Sequence, residues 1–326
     1  MKVAAGAGMV TLLGLDPDGY ERHPLHGTER TYGETNCYAD IVLELLHARG
    51  DEPLAMLGHL VRQDFEGDQW TFFKPPPGDL ELLYGLDIHE MQPWRSLPEQ
   101  IAEQLAAGRT MIVELDSYYL PDTAATDYRT NHVKTSVAIE GIDRDGERLR
   151  YFHNAGLYEL SGADYRGALR LGGGWSPDVL PPYAELVRFD AGPVLHSGPL
   201  HQVARGLLAN HLRRRPADNP FERFADRLEL DLPALLEGDA AAFHAYAFPT
   251  VRMAGASFEL LAEHLRWLLE PGESAPAVEA LERVVGACKV LGFRLARRRP
   301  FEPRAVLADA TAAWDEAMSA LATIAS

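Results

Sequence analysis

A chain of 326 residues with 31 lysines and arginines against 48 aspartates and glutamates carries a formal net charge of −17, which disfavours non-specific attachment to nucleic acid or to an anionic membrane. With 46% hydrophobic and 24% charged residues there is material for two compact cores, and no stretch reaches membrane-span length: MVTLLGL near the start is short, lacks a basic flank and runs into Asp16 and Asp18. Two cysteines, Cys37 and Cys288, make neither a disulfide framework nor, alone, a zinc site, so a cytoplasmic protein with no metal and no bound cofactor is expected.

In chain order, the first clear element is CYADIVLELLHAR (37–49). Ile41, Leu43, Leu45 and Leu46 sit at roughly helical spacing and Gly50 closes the segment, which predicts an amphipathic helix. DFEGDQWTFFKPPPGDLELLYG (64–85) reads as an acidic turn followed by a buried aromatic strand. SLPEQIAEQLAAG (96–108) is a second helix, with Ser96 as N-cap, Pro98 in the first turn and Gly108 at the end. TMIVELD (110–116) and HVKTSVAIEGI (132–142) are strands. The turn DRDGE (143–147) and LRYFHNA (149–155) complete a hairpin. LGGGW (171–175) lacks the Lys-Ser/Thr of a phosphate loop and reads as a turn.

AGPVLHSGP (191–199) is the expected linker, giving an α+β domain over 1–192 and an all-α helical bundle over 193–326. Beyond it come HQVARGLLANHLRR, NPFERFADRLEL, DLPALLEG, ASFELLAEHLRWLLE, AVEALERVVGACKVLGFRLARR and PRAVLADATAAWDEAMSALATI, all with helical periodicity. The basic clusters HLRRR (211–215) and RLARRR (294–299) read as solvated helix faces, with docking of an acidic carrier protein as the alternative.

Chemistry concentrates on Cys37. The first turn of a helix stabilises a thiolate through unpaired N–H groups and the positive end of the dipole, and the preceding Asn36 is a good N-cap type. The bland alternative is a small buried thiol that helps the helix pack. A nucleophilic thiol needs an imidazole, and the imidazole an orienting acceptor. His132 opens a strand and Asn154 ends the returning one, so the hairpin would place them on neighbouring strands. Cysteine on a helix, histidine on a strand and Asn or Asp on the next is the papain-type layout, with His153 and Asp143 also open as third member.

The order Cys37, the stretch from His132 and YFHN ending at Asn154 resembles bacteriocin-processing cysteine peptidases. Within that superfamily the sequence is more similar to the butirosin side-chain acyltransferase type. At full length ETNCYAD, DFEGDQWTFFK, YLPDT and YRTNHVKTS resemble the bacterial family of domain of unknown function 1839. The resemblance implies a papain-like fold for the first domain. It also implies transfer of an aminoacyl or related acyl group from the phosphopantetheine arm of an acyl or peptidyl carrier protein to a small amine, hydroxylamine or hydroxyl acceptor. A cysteine hydrolase is the alternative, followed by an aminoacyl-tRNA-dependent transferase or a non-catalytic binding module. Position 31, where papain-type enzymes carry an oxyanion-hole Gln, is Thr, so Glu34 and Asn36 are the candidates to replace it.

Asp64 and Asp68, beside Trp70, are the first choices to hold the α-ammonium of an aminoacyl donor. The long connection from 114 to 132 reads as a binding wall leading to His132, with Asp116, Tyr118, Asp122, Asp127 and Arg129 as candidates. Arg129 or Lys134 would receive a carboxylate or the phosphopantetheine phosphate, and His153 is a further binding candidate.

Overall fold

The computed structural model describes residues 8–172 and 180–324, so residues 173–175 of LGGGW lie outside the described residues. The chain divides into two compact units that are not consecutive stretches. The first comprises Met1–His26, Cys37–Asp51 and Leu80–Val194, and the second Gly27–Asn36, Glu52–Asp79 and Leu195–Ser326. Among the described residues no helix is long and apolar enough to cross a membrane.

The first unit is built on an antiparallel sheet of β1 (Val10–Thr11), β2 (Asp87–Met91), β3 (Thr110–Asp116), β4 (Lys134–Asp143), β5 (Arg148–His153), β6 (Gly156–Ser161) and β7 (Ala184–Arg188), in the order β2-β7-β3-β4-β5-β6 with β1 on β4. The expected strand 110–116 is β3 residue for residue, and the expected hairpin is β4–β5, with Ala138 opposite Phe152. Successive side chains alternate between the faces of a sheet. Met111, Val113, Leu115, Val137, Ile139, Leu149 and Tyr151 share one face and form a core with Leu97, Ile101 and Leu105 of α3 (Leu97–Ala106) and Tyr165 and Ala168 of α4 (Ala163–Ala168). Ser96 precedes α3 as expected, without a side-chain cap bond.

The opposite face carries α1 (Cys37–Ala48). Tyr38 Oη donates to Glu185 of β7 at 2.7 Å, and the ring of Tyr20, whose hydroxyl donates to Glu44 of α1, packs edge-on to Phe152 of β5 at 5.5 Å. The helix is not amphipathic in place. Every residue from Tyr38 to Leu46 is buried, including Asp40 and Glu44. Those carboxylates lie one turn apart, and His26 bridges them, with Nε2 3.3 Å from Asp40 and Nδ1 bonded to Glu44. A polar pair that would mark a solvated stripe is thus satisfied internally.

The second unit is helical: α5 (Ser197–Leu212), α6 (Pro220–Glu237), α7 (Ala240–Ala247), α8 (Met253–Leu268), α9 (Pro271–Ala296) and α10 (Pro303–Leu321), with a 3-10 segment over Pro53–Arg62; α2 (Pro77–Tyr84) runs from this unit back into the first. The expected linker at 191–199 ends early, since α5 begins at Ser197. NPFERFADRLEL and DLPALLEG, which read as separate segments, form the single helix α6 through Pro233; buried Leu228 and Leu232 hold it together across the missing N–H. Trp70 is 1% exposed and packs on Phe65, Phe221, Phe224 and Phe258, its ring 4.8 Å from that of Phe221.

Candidate active site

Cys37 is the first residue of α1 and is partly exposed, whereas Cys288 within α9 is wholly buried, and burial pushes its thiol up to about 12. The two cysteines therefore separate as the sequence suggested: one accessible thiol at a helix start and one inert thiol in a core.

His132 lies immediately before β4. Its Nδ1–H donates to Asp116 Oδ2 at 2.6 Å, and its ring stacks on Tyr118 with centroids 4.4 Å apart and planes 14° apart. The other Asp116 oxygen accepts from the Tyr118 N–H at 3.1 Å, so one carboxylate holds both the imidazole and the residue that covers it. Asp116 ends β3 opposite Lys134, and a loop that returns the chain antiparallel brings these two strand ends together. The imidazole side chain is 67% exposed, and its Nε2 has no bond among the described residues.

The pairing register decides which groups share a face. Glu185 pairs with Ile112, Ile112 with Ala138 and Ala138 with Phe152, which is the row under α1. Counting by twos along β3 and β4 from that row puts Glu114, Asp116, Ser136 and Lys134 on the same face, and His132 lies just before the strand, bonded to Asp116. The strand end at Asp116 thus shares the face that carries α1, and no hydrogen bond joins the Cys37 thiol to an imidazole among the described residues.

His153 goes elsewhere. It is 2% exposed on the other face, with Nδ1 bonded to Asp122 and Nε2 2.8 Å from the Thr135 hydroxyl, while Tyr151 donates to the same Asp122. The network engages both ring nitrogens of His153, the residue that the sequence offered as a binding candidate. Asn154 does not reach His132. Continued two residues past its last pair, Ala138 with Phe152, the β4–β5 register puts it level with Ser136, and with φ +45° it forms the turn from β5 into β6, in the left-handed conformation that Asn tolerates. Asp143 sits at the far end of β4, where it accepts from the Gly146 N–H at 2.8 Å.

The oxyanion candidates are also engaged. Asn36 Nδ2 donates to the Phe73 carbonyl at 3.2 Å, and Arg252 donates to the Glu34 carbonyl at 2.9 Å with the Glu34 carboxylate 3.7 Å away. An ionised carboxylate has no proton to offer an oxyanion, so the donors left at this helix start are backbone N–H groups.

Most binding candidates already have partners. Asp64 pairs with Arg223, Asp68 is exposed, and both belong with core Trp70 to the second unit. Asp127 bonds Asn131 and Thr126 within its own turn. Arg129, at φ +58°, pairs with Asp164 and lies over the rings of Tyr118, Tyr119 and Tyr128, and Lys134 pairs with Glu114 at 2.8 Å. No group of three or more His, Cys, Asp or Glu among the described residues is arranged to hold a metal ion.

Family models supply the remaining comparison. That of the DUF1839 N-terminal domain matches residues 21–189, and that of the DUF1839 C-terminal domain matches residues 198–323. The chain belongs to the DUF1839 family. No curated protein matches it. In this DUF1839 chain Cys37, His132 and Asp116 all fall within the span of the N-terminal family domain, as does the rest of the sheet from β2 to β7.

Proposed function

We propose that the first unit is a papain-like thiol acyltransferase in which Cys37 is the nucleophile, His132 the base and Asp116 the residue that orients and charges the base. The observation that carries this reading is the bond from His132 to Asp116, the last residue of a strand whose alternation puts it on the sheet face that bears the helix opened by a partly exposed cysteine. Cysteine, imidazole and carboxylate in these roles form a set that recurs on unrelated folds. In the first half-reaction the Cys37 thiolate attacks the carbonyl of an acyl thioester, the acyl–sulfur bond to the donor breaks, and the donor thiol leaves with a proton delivered by His132. In the second, His132 takes the proton of an amine or hydroxyl acceptor as it attacks the Cys37 thioester, and the free thiol is regenerated. Backbone N–H groups at the start of α1 would bind the oxyanion.

The donor proposed is an aminoacyl or related group on the phosphopantetheine arm of a carrier protein, and the acceptor a small amine, hydroxylamine or alcohol. The net charge of −17 weighs against an aminoacyl-tRNA donor. Incubation with a panel of aminoacylated carrier proteins, followed by intact mass spectrometry, tests this directly. An adduct on the wild type that is absent from Cys37→Ala supports the reading. Absence of an adduct with every loaded carrier refutes the carrier-dependent transfer, and loss of the adduct to water at the same rate with and without acceptor turns the enzyme into a hydrolase.

A further inference from the structure

The segment Gly27–Asn36 belongs to the helical unit, yet it runs directly into Cys37, the first residue of α1. Its sequence, GTERTYGETN, has no helical or strand periodicity, and neither element forms there. Backbone without a ladder must find its hydrogen bonds elsewhere, and this segment finds them on α8. Glu259 accepts from the Thr31 N–H at 2.7 Å and from the Tyr32 N–H at 2.9 Å, and Arg30 donates to the same carboxylate at 3.2 Å. One turn earlier, Gly255 faces the ring of Tyr32 so closely that a Cβ there would collide with it. Arg252, the helical residue that leads into α8, donates to the Glu34 carbonyl at 2.9 Å. Arg252, Gly255 and Glu259 are spaced i, i+3 and i+7, which places them on one stripe of the helix.

The stripe stands on a packed core. Every residue from Met253 to Phe258 is buried, and the ring of Phe258 meets those of Trp70 and Phe221. Bonds from two consecutive N–H groups and a guanidinium to one carboxylate are charge-assisted, and stronger than neutral ones. Towards the thiol the chain is then held at alternate residues: at Tyr32 by Glu259, at Glu34 by Arg252, and at Asn36 by the bond from its side chain to the Phe73 carbonyl at 3.2 Å. We propose that Glu259 and Gly255 are positioning residues for Cys37: by seating Arg30–Glu34 on α8, the helical unit fixes how the chain enters α1, and with it the direction of the thiol and of the N–H groups beside it.

This role rests on the reading of Cys37 as the nucleophile. Neither Glu259 nor Gly255 touches the acyl group, and their effect reaches the thiol through the short stretch Gly33–Asn36. A small shift there matters, because misplacing a reacting group by about 1 Å can cost about 100-fold in rate.

Two measurements on the full chain separate positioning from plain stabilisation. In the acyl-transfer assay Glu259→Ala should lower kcat about tenfold or more with KM for the loaded carrier within about twofold, and Glu259→Gln, which keeps one acceptor oxygen, should fall between. The second measurement needs no acyl donor: the rate at which iodoacetamide alkylates Cys37 at pH 7, read by peptide mass spectrometry. Glu259→Ala, and Gly255→Ala, which alters no charge and drives a methyl group into Tyr32, should each slow it about threefold or more, because a helix start that is no longer held supports a thiolate less well. Glu263→Gln, on the same helix but paired with Arg266, should match wild type in both assays. Wild-type alkylation rates in folded Glu259→Ala and Gly255→Ala overturn the assignment, whatever their melting temperatures. If circular dichroism shows either to be unfolded, Glu259→Gln takes its place: alkylation slowed about twofold supports the assignment and an unchanged rate overturns it. A wild type that accepts no acyl group from any carrier refutes the acyltransferase reading, and the alkylation rates still decide the positioning.

Discussion

Acid should unfold the helical unit through two histidines that the fold buries neutral. His59, in the 3-10 segment, donates from Nδ1 to the Met56 carbonyl at 2.8 Å, and His264, in α8, donates from Nδ1 to the Leu54 carbonyl at 2.7 Å. Both Nε2 atoms are buried without a partner among the described residues, so a second proton would have no acceptor. Burial, reinforced by neighbouring His211, pulls each down from 6.5 to about 4. The unfolded chain takes up both protons below pH 6.5 while the folded chain resists until about 4. Stability is therefore full above 6.5 and falls as the pH drops through that window. At about 1.4 kcal/mol per pH unit the loss is about 3 kcal/mol for each histidine and about 6 for the pair, comparable with the whole stability of many domains. Urea unfolding followed by the emission of the five tryptophans, of which Trp70, Trp267 and Trp314 belong to this unit, measures it between pH 7 and 4. Replacing His264 with Asn keeps a donor for Leu54 but removes the titration, so the slope of stability against pH should fall by about one proton. An unchanged slope in both His264→Asn and His59→Asn would refute the reasoning.

The sheet unit should respond in the opposite direction. Burial opposes a proton on His26, but the bonds to Asp40 and Glu44 outweigh it and raise the group to about 9, so the stabilisation is full below pH 6.5 and is lost as pH rises through about 9. Thermal melts of His26→Gln should show a loss of about 3–5 kcal/mol at pH 7 that shrinks towards pH 10, because two buried carboxylates lose their cation. Iodoacetamide should label Cys37 in the folded protein and leave Cys288 unmodified until denaturant is added, read by peptide mass spectrometry. In the acyl-transfer assay Asp116→Asn should lower kcat/KM by about 10² or more, whereas Asn154→Ala should stay within about twofold; the reverse ranking would return Asn154 to the third position. Tyr118→Phe should preserve activity by keeping the stack on His132, and Tyr118→Ala should reduce kcat with little change in KM.

Periodicity carried much of the fold because the relevant elements obey local rules. β3 alternates on a sheet whose one face is fully packed, α3 carries Pro98 and Gly108 at its ends, and α5, α6, α8, α9 and α10 each bury an apolar stripe. Non-local placement escaped it. β2 and β7 are five-residue edge and near-edge strands, paired with each other across almost a hundred residues, and neither has a turn signal that points to its partner. The assignment of Gly27–Asn36 and Glu52–Asp79 to the helical unit is equally invisible locally, because it depends on where Trp70 finds Phe221 and Phe258.

The sequence singled out residues of the candidate site by type and joined His132 to Asn154, whereas the bond that His132 makes runs to Asp116, and the cause of the difference is geometric. Both strand ends flanking His132 are within reach of an antiparallel neighbour: β5 on one side and β3 on the other. A tight hairpin with an obvious turn draws attention to β5, but the β4–β5 pairing ends at Ala138 and Phe152, well before it reaches His132. The connection from β3 is long and irregular, yet it leaves Asp116 opposite Lys134, next to the histidine. Asp in place of Asn changes the chemistry as well as the map. In the proposed transfer a carboxylate would stabilise the imidazolium formed when His132 acts as base, whereas an amide would only orient the ring. Because the imidazole is 67% exposed, water screens much of that effect in the isolated chain. A docked donor that excludes water would strengthen it where the acyl group is transferred. Transfer by this arrangement should therefore depend on occupancy of the face, and hydrolysis of small free thioesters should be slow by comparison.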